Sequence, residues 1–377
     1  MDVNQSLQLL GGLSPKLFMR RHWQKKPLLI RQAIDGFRSA LDPAALFALA
    51  AQEQVESRLV VSQAGGAPGP GWKLRHGPFA RRALPPLKRP GWTLLVQGVD
   101  LHVREIHELL NRFRFVPDAR LDDLMVSYAS DGGGVGPHFD SYDVFLLQAH
   151  GRRRWRIGRQ KDLALIPDAP LKILRNFEPE QEFELDPGDM LYLPPRYAHD
   201  GVAIGECMTY SVGFKAPGRA DLAAELLQRL AQDASDAAGD ALYRDAGQGA
   251  VDAPGAIPAG LREFARVALQ RATQDPVALD KALGEYLTEP KARVWFDAGD
   301  LESLDRPIRL DRRTRMMYDR QHVFINGESF RAGGRDAVLM RRLADSRQLN
   351  TRDIAQASMQ ARAMLREWCE AGWIHGT

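Results

Sequence analysis

Apolar and polar residues follow three successive patterns along this chain, and the first extends to about residue 90. There the pattern indicates mixed α/β structure, with a short helix over Pro15–Trp23 and a strand at Leu28–Ile30. Asp42 and Pro43 are the N-cap and first-turn proline expected at the start of a second helix. This part of the chain is therefore predicted to be a small α/β region.

Between Trp92 and Pro217 short apolar runs divided by glycine and proline predict a region made mainly of strands. One helix, around Arg104–Phe113, interrupts them. The predicted strands are Trp92–Val99, Leu124–Ala129, Asp143–Gln148, Arg154–Ile157, Met190–Leu193 and Thr209–Phe214. Many short strands of this kind are typical of a barrel or a double-sheet jelly roll.

After Pro217 the apolar residues recur at helical spacing. Helices are predicted over Ala220–Leu230, Leu261–Ala272 and Val277–Leu287, and the Gly/Ala/Asp-rich stretch Ala237–Gly260 is predicted to be a flexible connection. A leucine stripe on the first helix, consisting of Leu222, Leu226, Leu227 and Leu230, is either ordinary core or a dimer contact. We favour a homodimer because so small a module buries little surface by itself.

The C-terminal region combines a hairpin with helices. Asn326-Gly327 lies between apolar runs and is a strong hairpin pattern, and helical patterns follow at Ala337–Ala344 and Ala361–Ala371. Together with excess arginine this order resembles a winged-helix module. Such modules also serve protein contacts, so direct nucleic-acid binding stays open.

Composition narrows the class of protein. The chain has 377 residues, of which 44% are hydrophobic and 26% charged, which is typical of a soluble globular protein. No apolar stretch is long enough to span a bilayer, and the N-terminus lacks a secretory pattern. Cys207 and Cys369 are too few for a disulfide framework or a thiolate zinc site. We therefore expect a cytoplasmic protein without membrane contact.

The net charge of +3 hides a local asymmetry. Every charged residue between Ser57 and Val99 is basic, whereas Asp118–Asp143 contains six aspartates against Arg120 alone. Such clusters are usually solvated surface. An acidic segment beside a reaction centre would attract a cationic substrate.

The candidate reaction centre is a set of possible metal ligands. His138 and Asp140 are two positions apart, so on a strand they would share a face, and His199 is expected from another strand. The glycine-rich run before His138 would let the backbone turn at a barrel mouth. Two imidazoles and one carboxylate suit Fe(II) in an oxygen-activating enzyme.

Such an enzyme commonly oxidises 2-oxoglutarate, and Arg153 could bind the far carboxylate of that cosubstrate. The alternative for Arg153 is a basic outer strand.

Longer motifs carry a family resemblance. GGGVGPHFDSYDVFLLQAHGRRRWRIG, LDPGDMLYLPPRYAHDG and TYSVGFKAP resemble the JmjC-domain ribosomal oxygenases, and more narrowly the bacterial hydroxylases of an arginine in the sixteenth large-subunit ribosomal protein. RHWQKKPLLIR at Arg21–Arg31 fits the same family. The resemblance implies a double-stranded β-helix (a jelly-roll or cupin core), with Fe(II), 2-oxoglutarate and O2 as cofactor and cosubstrates. The implied reaction is 3-hydroxylation of arginine in a basic ribosomal protein, with release of succinate and CO2.

By position, the resemblance also implies roles for single residues. The metal ligands are His138, Asp140 and His199; Arg153, with Ser127 and more weakly Ser211, binds 2-oxoglutarate; Asp131 and Tyr142 hold the substrate guanidinium by charge pairing and stacking. The expected domains are a JmjC catalytic domain with its α/β extension at 1–217 (core about 91–217), a helical dimerisation domain at 218–295 and a winged-helix-like domain at 296–377. A histidine-directed ribosomal oxygenase, a non-redox metal cupin and a nucleic-acid-binding regulator are the alternatives.

Overall fold

The computed structural model describes residues 2–62, 71–299 and 306–376. The chain divides into two compact units, the first ending at Ala216 and the second beginning at Pro217. The first unit is mainly β and the second mainly α with short strands. The predicted fold class, a β core with appended helices, is confirmed.

The first unit begins with helices whose starts follow from their caps. Ser14 and Asp42 accept hydrogen bonds from backbone N–H groups three residues ahead, and a proline follows each of them. The helices are α1 (Pro15–Arg21), α2 (Pro43–Ala50) and α3 (Arg104–Asn111). The strands are β1 (Leu28–Ile30), β2 (Ser57–Ser62), β3 (Trp72–His76), β4 (Trp92–Val96), β5 (Leu121–Ala129), β6 (Val144–Gly158), β7 (Gln181–Leu185), β8 (Met190–Leu193) and β9 (Ala198–Phe214).

These strands form one nine-stranded antiparallel sheet in the order β1-β8-β6-β9-β5-β4-β2-β3, with β7 added beside β6. The two long strands, β6 and β9, pair from Val144↔Gly213 to Gly158↔Ala198. The separate strands predicted at Asp143–Gln148 and Arg154–Ile157 are therefore wrong in extent, because both belong to β6. A register shift between Gln148 and Arg152 bends β6 without ending it.

Side-chain alternation separates a packed core from an open cavity. On β5, Leu124, Val126 and Tyr128 are buried in the main apolar core, while Met125 and Ser127 between them line the cavity. The core is rich in aromatic rings, as in the contact of Phe18 with Tyr192, whose centroids are 4.9 Å apart. Burial of one such ring contributes about 1.5–3 kcal/mol, so this face holds the sheet while the other is free to form the site.

The second unit contains seven helices and six strands among its described residues. The helices are α4 (Arg219–Leu230), α5 (Ala234–Ala238), α6 (Ala259–Thr273), α7 (Pro276–Thr288), α8 (Gly334–Ser346), α9 (Thr351–Ala355) and α10 (Met359–Glu370). The strands are β10 (Ile308–Leu310), β11 (Met316–Tyr318), β12 (His322–Ile325), β13 (Glu328–Arg331), β14 (Gln348–Leu349) and β15 (Ile374–Gly376). They form two three-stranded sheets.

The predicted hairpin of the second unit is confirmed. Asn326 and Gly327 both have positive φ, and Ile325 pairs with Glu328 across them, as a two-residue primed turn requires. The predicted connection is also irregular, since residues 239–258 contain neither helix nor strand. None of the described helices combines the length and apolarity that crossing a membrane would need.

Candidate metal centre and cosubstrate pocket

The structure brings His138, Asp140 and His199 together. One ligand atom from each lies within 4.8 Å of the others, and His199 Nε2 is 3.7 Å from Asp140 Oδ2. His199 lies on β9, as expected from the sequence. The strand expected at His138–Asp140 is reduced to a single bridge, in which His138 exchanges backbone hydrogen bonds with His199. Pro137 has no N–H and Gly136 has a positive φ, so regular pairing does not extend back from His138.

Hydrogen bonds define the tautomers of both histidines. Nδ1 of His138 is 2.9 Å from the Gly136 carbonyl oxygen, and Nδ1 of His199 is 3.1 Å from that of Tyr197. A carbonyl only accepts, so each Nδ1 carries the proton and donates it, leaving the Nε2 lone pair for a metal. Burial, helped by His138 and opposed by Asp140, lowers the pKa of His199 to about 4, which keeps this ring neutral at pH 7.

This donor set fits a divalent metal. Two neutral imidazole nitrogens and one carboxylate form the set that non-haem Fe(II) oxygenases use, with positions left for other ligands. A search of the described residues for histidine, cysteine and carboxylate side chains close enough to share one ion finds these three. The residues therefore define a candidate metal centre at the end of the bridge between His138 and β9.

Arg153 supplies a buried positive charge near this centre. It lies on β6 and is 5% exposed, and its Nη1 donates to Ser127 Oγ at 3.4 Å. Within the described residues its Nε and Nη2 have no hydrogen-bond partner. A buried guanidinium with unpaired N–H groups is costly unless an anion completes its hydrogen bonds. Arg153 therefore fits a carboxylate ligand.

One cavity of about 470 Å³ joins these features. The cavity is lined by the triad and by the three residues predicted to bind 2-oxoglutarate, Arg153, Ser127 and Ser211. Its apolar walls include Leu95, Met125, Val144, Leu146 and Trp155 from neighbouring strands, and polar or charged side chains form about half of the lining. A concave pocket in which apolar walls surround convergent polar groups is typical of a small-molecule site.

A tryptophan and a glycine shape the middle of this cavity, and the sequence predictions missed both. Trp155 and Gly201 are cross-strand partners on β6 and β9. A Cβ on Gly201 would lie 2.5 Å from the Trp155 ring, so only glycine fits there. The indole lies between the site's two halves, 5.8 Å from the His199 ring and 5.5 Å from the Arg153 guanidinium carbon. The glycine directly after His199-Asp200 was the available sequence pattern.

The two residues predicted to bind substrate are placed differently. Tyr142 lines the cavity and is 39% exposed, and desolvation followed by the charge of Asp140 raises its pKa. Asp131 is not among the residues that line the cavity, and its carboxylate accepts a hydrogen bond from Gly205 N at 2.8 Å. The acidic residues that do line the cavity, besides Asp140, are Asp122 and Asp123.

Comparison with known proteins agrees with this fold and site. A JmjC domain matches residues 108–222 and a ROXA-like winged helix matches residues 271–375. The class of protein is thus a JmjC oxygenase fold joined to a winged helix. The chain is similar over nearly its whole length to the crystal structure of the Escherichia coli ribosomal oxygenase YcfD, with 30% identity, a TM-score of 0.78 and coverage of 96% of this chain and 98% of that one. The chain belongs to the ribosomal oxygenase family.

Curated relatives show the same relationship over a shorter stretch. The ribosomal protein uL16 3-hydroxylase of Escherichia coli is 42% identical over 206 residues, which are 54% of this chain and 53% of that protein. A probable ribosomal oxygenase of Haemophilus influenzae is 38% identical over 56% of this chain and 52% of its own length. These matches span about half of each relative. YcfD has also been solved with cobalt and 2-oxoglutarate, at 31% identity and a TM-score of 0.78 over 96% of this chain and 98% of that one.

Proposed function

We propose that this chain is an Fe(II)- and 2-oxoglutarate-dependent protein hydroxylase. Its substrate is an arginine of ribosomal protein uL16, which is hydroxylated at carbon 3 with release of succinate and CO2. The observation that carries the proposal is that one cavity contains both the His138–Asp140–His199 triad and the guanidinium of Arg153, two of whose nitrogen atoms have no hydrogen-bond partner among the described residues. A 2-oxo diacid can bind a metal with open coordination positions through its oxo acid end. Its far carboxylate can bind a buried cation.

The triad would hold the metal through two Nε2 atoms and a carboxylate. When bound, Fe(II) supplies activation of O2 coupled to oxidation of 2-oxoglutarate. The carbonyls of Gly136 and Tyr197 keep both rings in the tautomer that offers Nε2, so the ligands are oriented before metal arrives. The apolar side chains beside the triad and the burial of Arg153 lower the local polarity, which strengthens charge contacts at these groups.

Arg153 would bind the distal carboxylate of 2-oxoglutarate. Its Nε and Nη2 offer two N–H groups on one edge of the guanidinium, a geometry that matches both oxygens of a carboxylate. Ser127 steadies the other edge through Nη1, and its hydroxyl lines the same cavity. Ser211, on the neighbouring strand β9, is the weaker second contact.

The substrate guanidinium would enter on the acidic side of the cavity. Asp122 and Asp123 line the cavity there and offer negative charge, and Tyr142 offers an aromatic face. The buried Asp123 also accepts hydrogen bonds from Gln97 Nε2 and Gly98 N through Oδ2. The assignment of uL16 as substrate is supported by the uL16 3-hydroxylase of Escherichia coli, which is 42% identical to this chain over 206 residues. Asp131 accepts a hydrogen bond from Gly205 N through one carboxylate oxygen, and its contact with the substrate guanidinium stays a prediction from the sequence.

We also propose residues 1–217 as the catalytic domain, 218–295 as a dimerisation domain and 296–377 as a winged-helix-like domain of a cytoplasmic enzyme. The helices α4 and α6 lie wholly within the described residues, and neither buries a single residue in this chain. Leu227 and Leu269 on these helices are more than half exposed. Leu269→Glu should therefore convert a dimer to a monomer in light scattering, whereas Val338→Glu, on the similarly exposed surface of α8, should not.

The test of the function is direct. Purified enzyme, Fe(II), 2-oxoglutarate and uL16 should give succinate and a mass increase of about 16 Da, one oxygen atom, on uL16. Fragmentation of the product should place the oxygen on an arginine; its presence on histidine would overturn the residue assignment. Absence of succinate would favour a non-redox cupin. Metal-stripped His138→Ala should be inactive after Fe(II) is restored.

A further inference from the structure

Strand β3 is a free edge of the catalytic sheet. It pairs with β2 on one side, and no described strand pairs with its other side. Of its five residues, Lys73 and Arg75 are exposed on one face, while Leu74 and His76 line the cavity on the other. A short exposed edge beside a cavity is a template to which an extended peptide can add as a strand.

The register of β2 and β3 shows which backbone groups are open. Gly77 N donates to Ser57 O, so these two residues form a hydrogen-bonded pair. Because such pairs alternate in antiparallel strands, Arg75 and Lys73 direct their N–H and C=O groups toward β2. Trp72, Leu74 and His76 direct theirs outward. The described residues contribute no hydrogen bond to the outward groups of Leu74 and His76.

We propose that an extended segment of the protein substrate pairs with β3 as an additional strand, an inference that rests on the proposed function. Leu74 and His76 lie on the wall of the cavity that also contains His138 and Arg153. Side chains of an added strand alternate between faces, so every second residue of the bound segment would point toward this cavity. Backbone pairing would thus set the register, and the cavity would select the arginine.

A hairpin forms a further wall of the same cavity. Leu165 and Leu174 form its bridge, and Leu171 and Lys172 near its tip line the cavity. The exposed cations on the far face of β3 disfavour indiscriminate strand pairing, a common protection of edge strands. The edge is therefore available to a partner that the neighbouring cavity also recognises.

Leu74→Pro tests the pairing, with Leu74→Val as its control. Proline removes the outward N–H but breaks no bond to β2, and valine keeps the N–H while trimming the side chain. The KM for uL16 should be about tenfold higher in the proline variant than in the valine variant, with equal 2-oxoglutarate requirements. Equal KM values for uL16 would overturn the pairing, while an inactive wild-type enzyme would instead overturn the proposed function.

A second measurement stands even if the proline variant does not fold. Synthetic uL16 segments carrying one N-methyl group each should bind the wild-type enzyme, loaded with Co(II) and 2-oxoglutarate, with alternating affinity. Methyl groups on residues that donate to β3 should weaken binding about tenfold, and those on the residues between them should weaken it little. Losses of affinity that do not alternate from one N-methyl position to the next would contradict strand addition.

Discussion

Arg153 shows how much chemistry one side chain can imply. It is almost fully buried, yet two of its nitrogen atoms have no partner among the described residues. Such a group is expensive in a protein that binds nothing, because its lost hydration is not replaced. The cost becomes useful when a carboxylate is the ligand, since the guanidinium is already positioned to receive it.

Replacing Arg153 by alanine should raise the apparent KM for 2-oxoglutarate by about 150-fold or more, because a charge-assisted hydrogen bond contributes about 1.5–3 kcal/mol and this contact offers two. Arg154→Ala is the matched control, since Arg154 is the next residue on β6 and is exposed on the opposite face. Steady-state kinetics with varied 2-oxoglutarate measures both. Equal KM values in the two variants would remove the carboxylate role of Arg153.

Gly201→Ala should damage the same pocket from its floor. The added methyl would lie 2.5 Å from the Trp155 ring and would displace the indole from its position between the His199 ring and the Arg153 guanidinium. We expect kcat/KM to fall by about tenfold or more, since such overpacking costs about 1–3 kcal/mol. Gly213→Ala, whose Cβ would be at an ordinary 3.7 Å from Asp123, is the control on the same strand. Similar losses in both variants would contradict a specific role for the Trp155–Gly201 contact.

The residues of the site differed in how well the sequence predicted them. Metal ligands are chemically distinctive, so His138, Asp140 and His199 could be selected before any fold was known. The other aspartates that line the cavity could not be selected in this way, because the face that an aspartate occupies depends on strand register. Asp123 lines the cavity beside an irregularity in the pairing of β5 with β9, whereas Asp131, in the turn after β5, holds Gly205.

At the scale of elements, the long strands were the hardest part to predict. Residues 144–158 appeared as two strands because Gly151 and its polar neighbours interrupt the apolar run. In the structure Gly151 has a φ of 59°, and a Cβ there would meet the backbone of Glu206 at 2.1 Å. The glycine thus keeps β6 and β9 in contact through the bend. Periodicity cannot distinguish a bend of this kind from the end of a strand.

The winged-helix region depends on a buried ion cluster around Asp311. Burial alone would raise the pKa of Asp311, but hydrogen bonds from Arg313 and His375 outweigh it and lower the pKa to about 2. A carboxyl with a lowered folded-state pKa stabilises the fold above its unfolded pKa, near 3.8. The contribution disappears as pH falls from about 4 to 2. Asp311 therefore joins the loop after β10 to the C-terminal strand β15.

Asp311→Asn should weaken this region by about 2 kcal/mol at pH 7, because about two pKa units separate the folded and unfolded carboxyl. Hydrogen exchange of the α8–α10 amides in the full chain measures the loss. The difference from wild type should be constant between pH 7 and 5 and shrink below about pH 4. Exposed Asp345→Asn should change protection by less than about 0.5 kcal/mol. Equal effects of both substitutions would show that the Asp311 cluster contributes no more to the stability of this region than an exposed carboxylate does.

At the scale of the whole molecule, charge is distributed unevenly although the total is only +3. Acidic residues concentrate between Asp118 and Asp143, and besides the metal-ligand candidate Asp140 two of them, Asp122 and Asp123, line the cavity. A field of this kind draws cationic partners toward the site, and salt weakens it over about 10 Å. The buried Arg153 is screened far less, so salt can separate the two binding events.

Raising ionic strength from about 0.05 to 0.5 M should therefore increase the KM for uL16 by about tenfold and leave the KM for 2-oxoglutarate within about twofold. Asp122→Asn should reduce the salt dependence for uL16, because it removes one charge from the attracting field. Asp186→Asn, an exposed carboxylate of the same unit outside the cavity lining, should not. If salt raised both KM values in parallel, the acidic segment would have no selective part in substrate capture, and uL16 recognition would rest on backbone pairing and pocket shape instead.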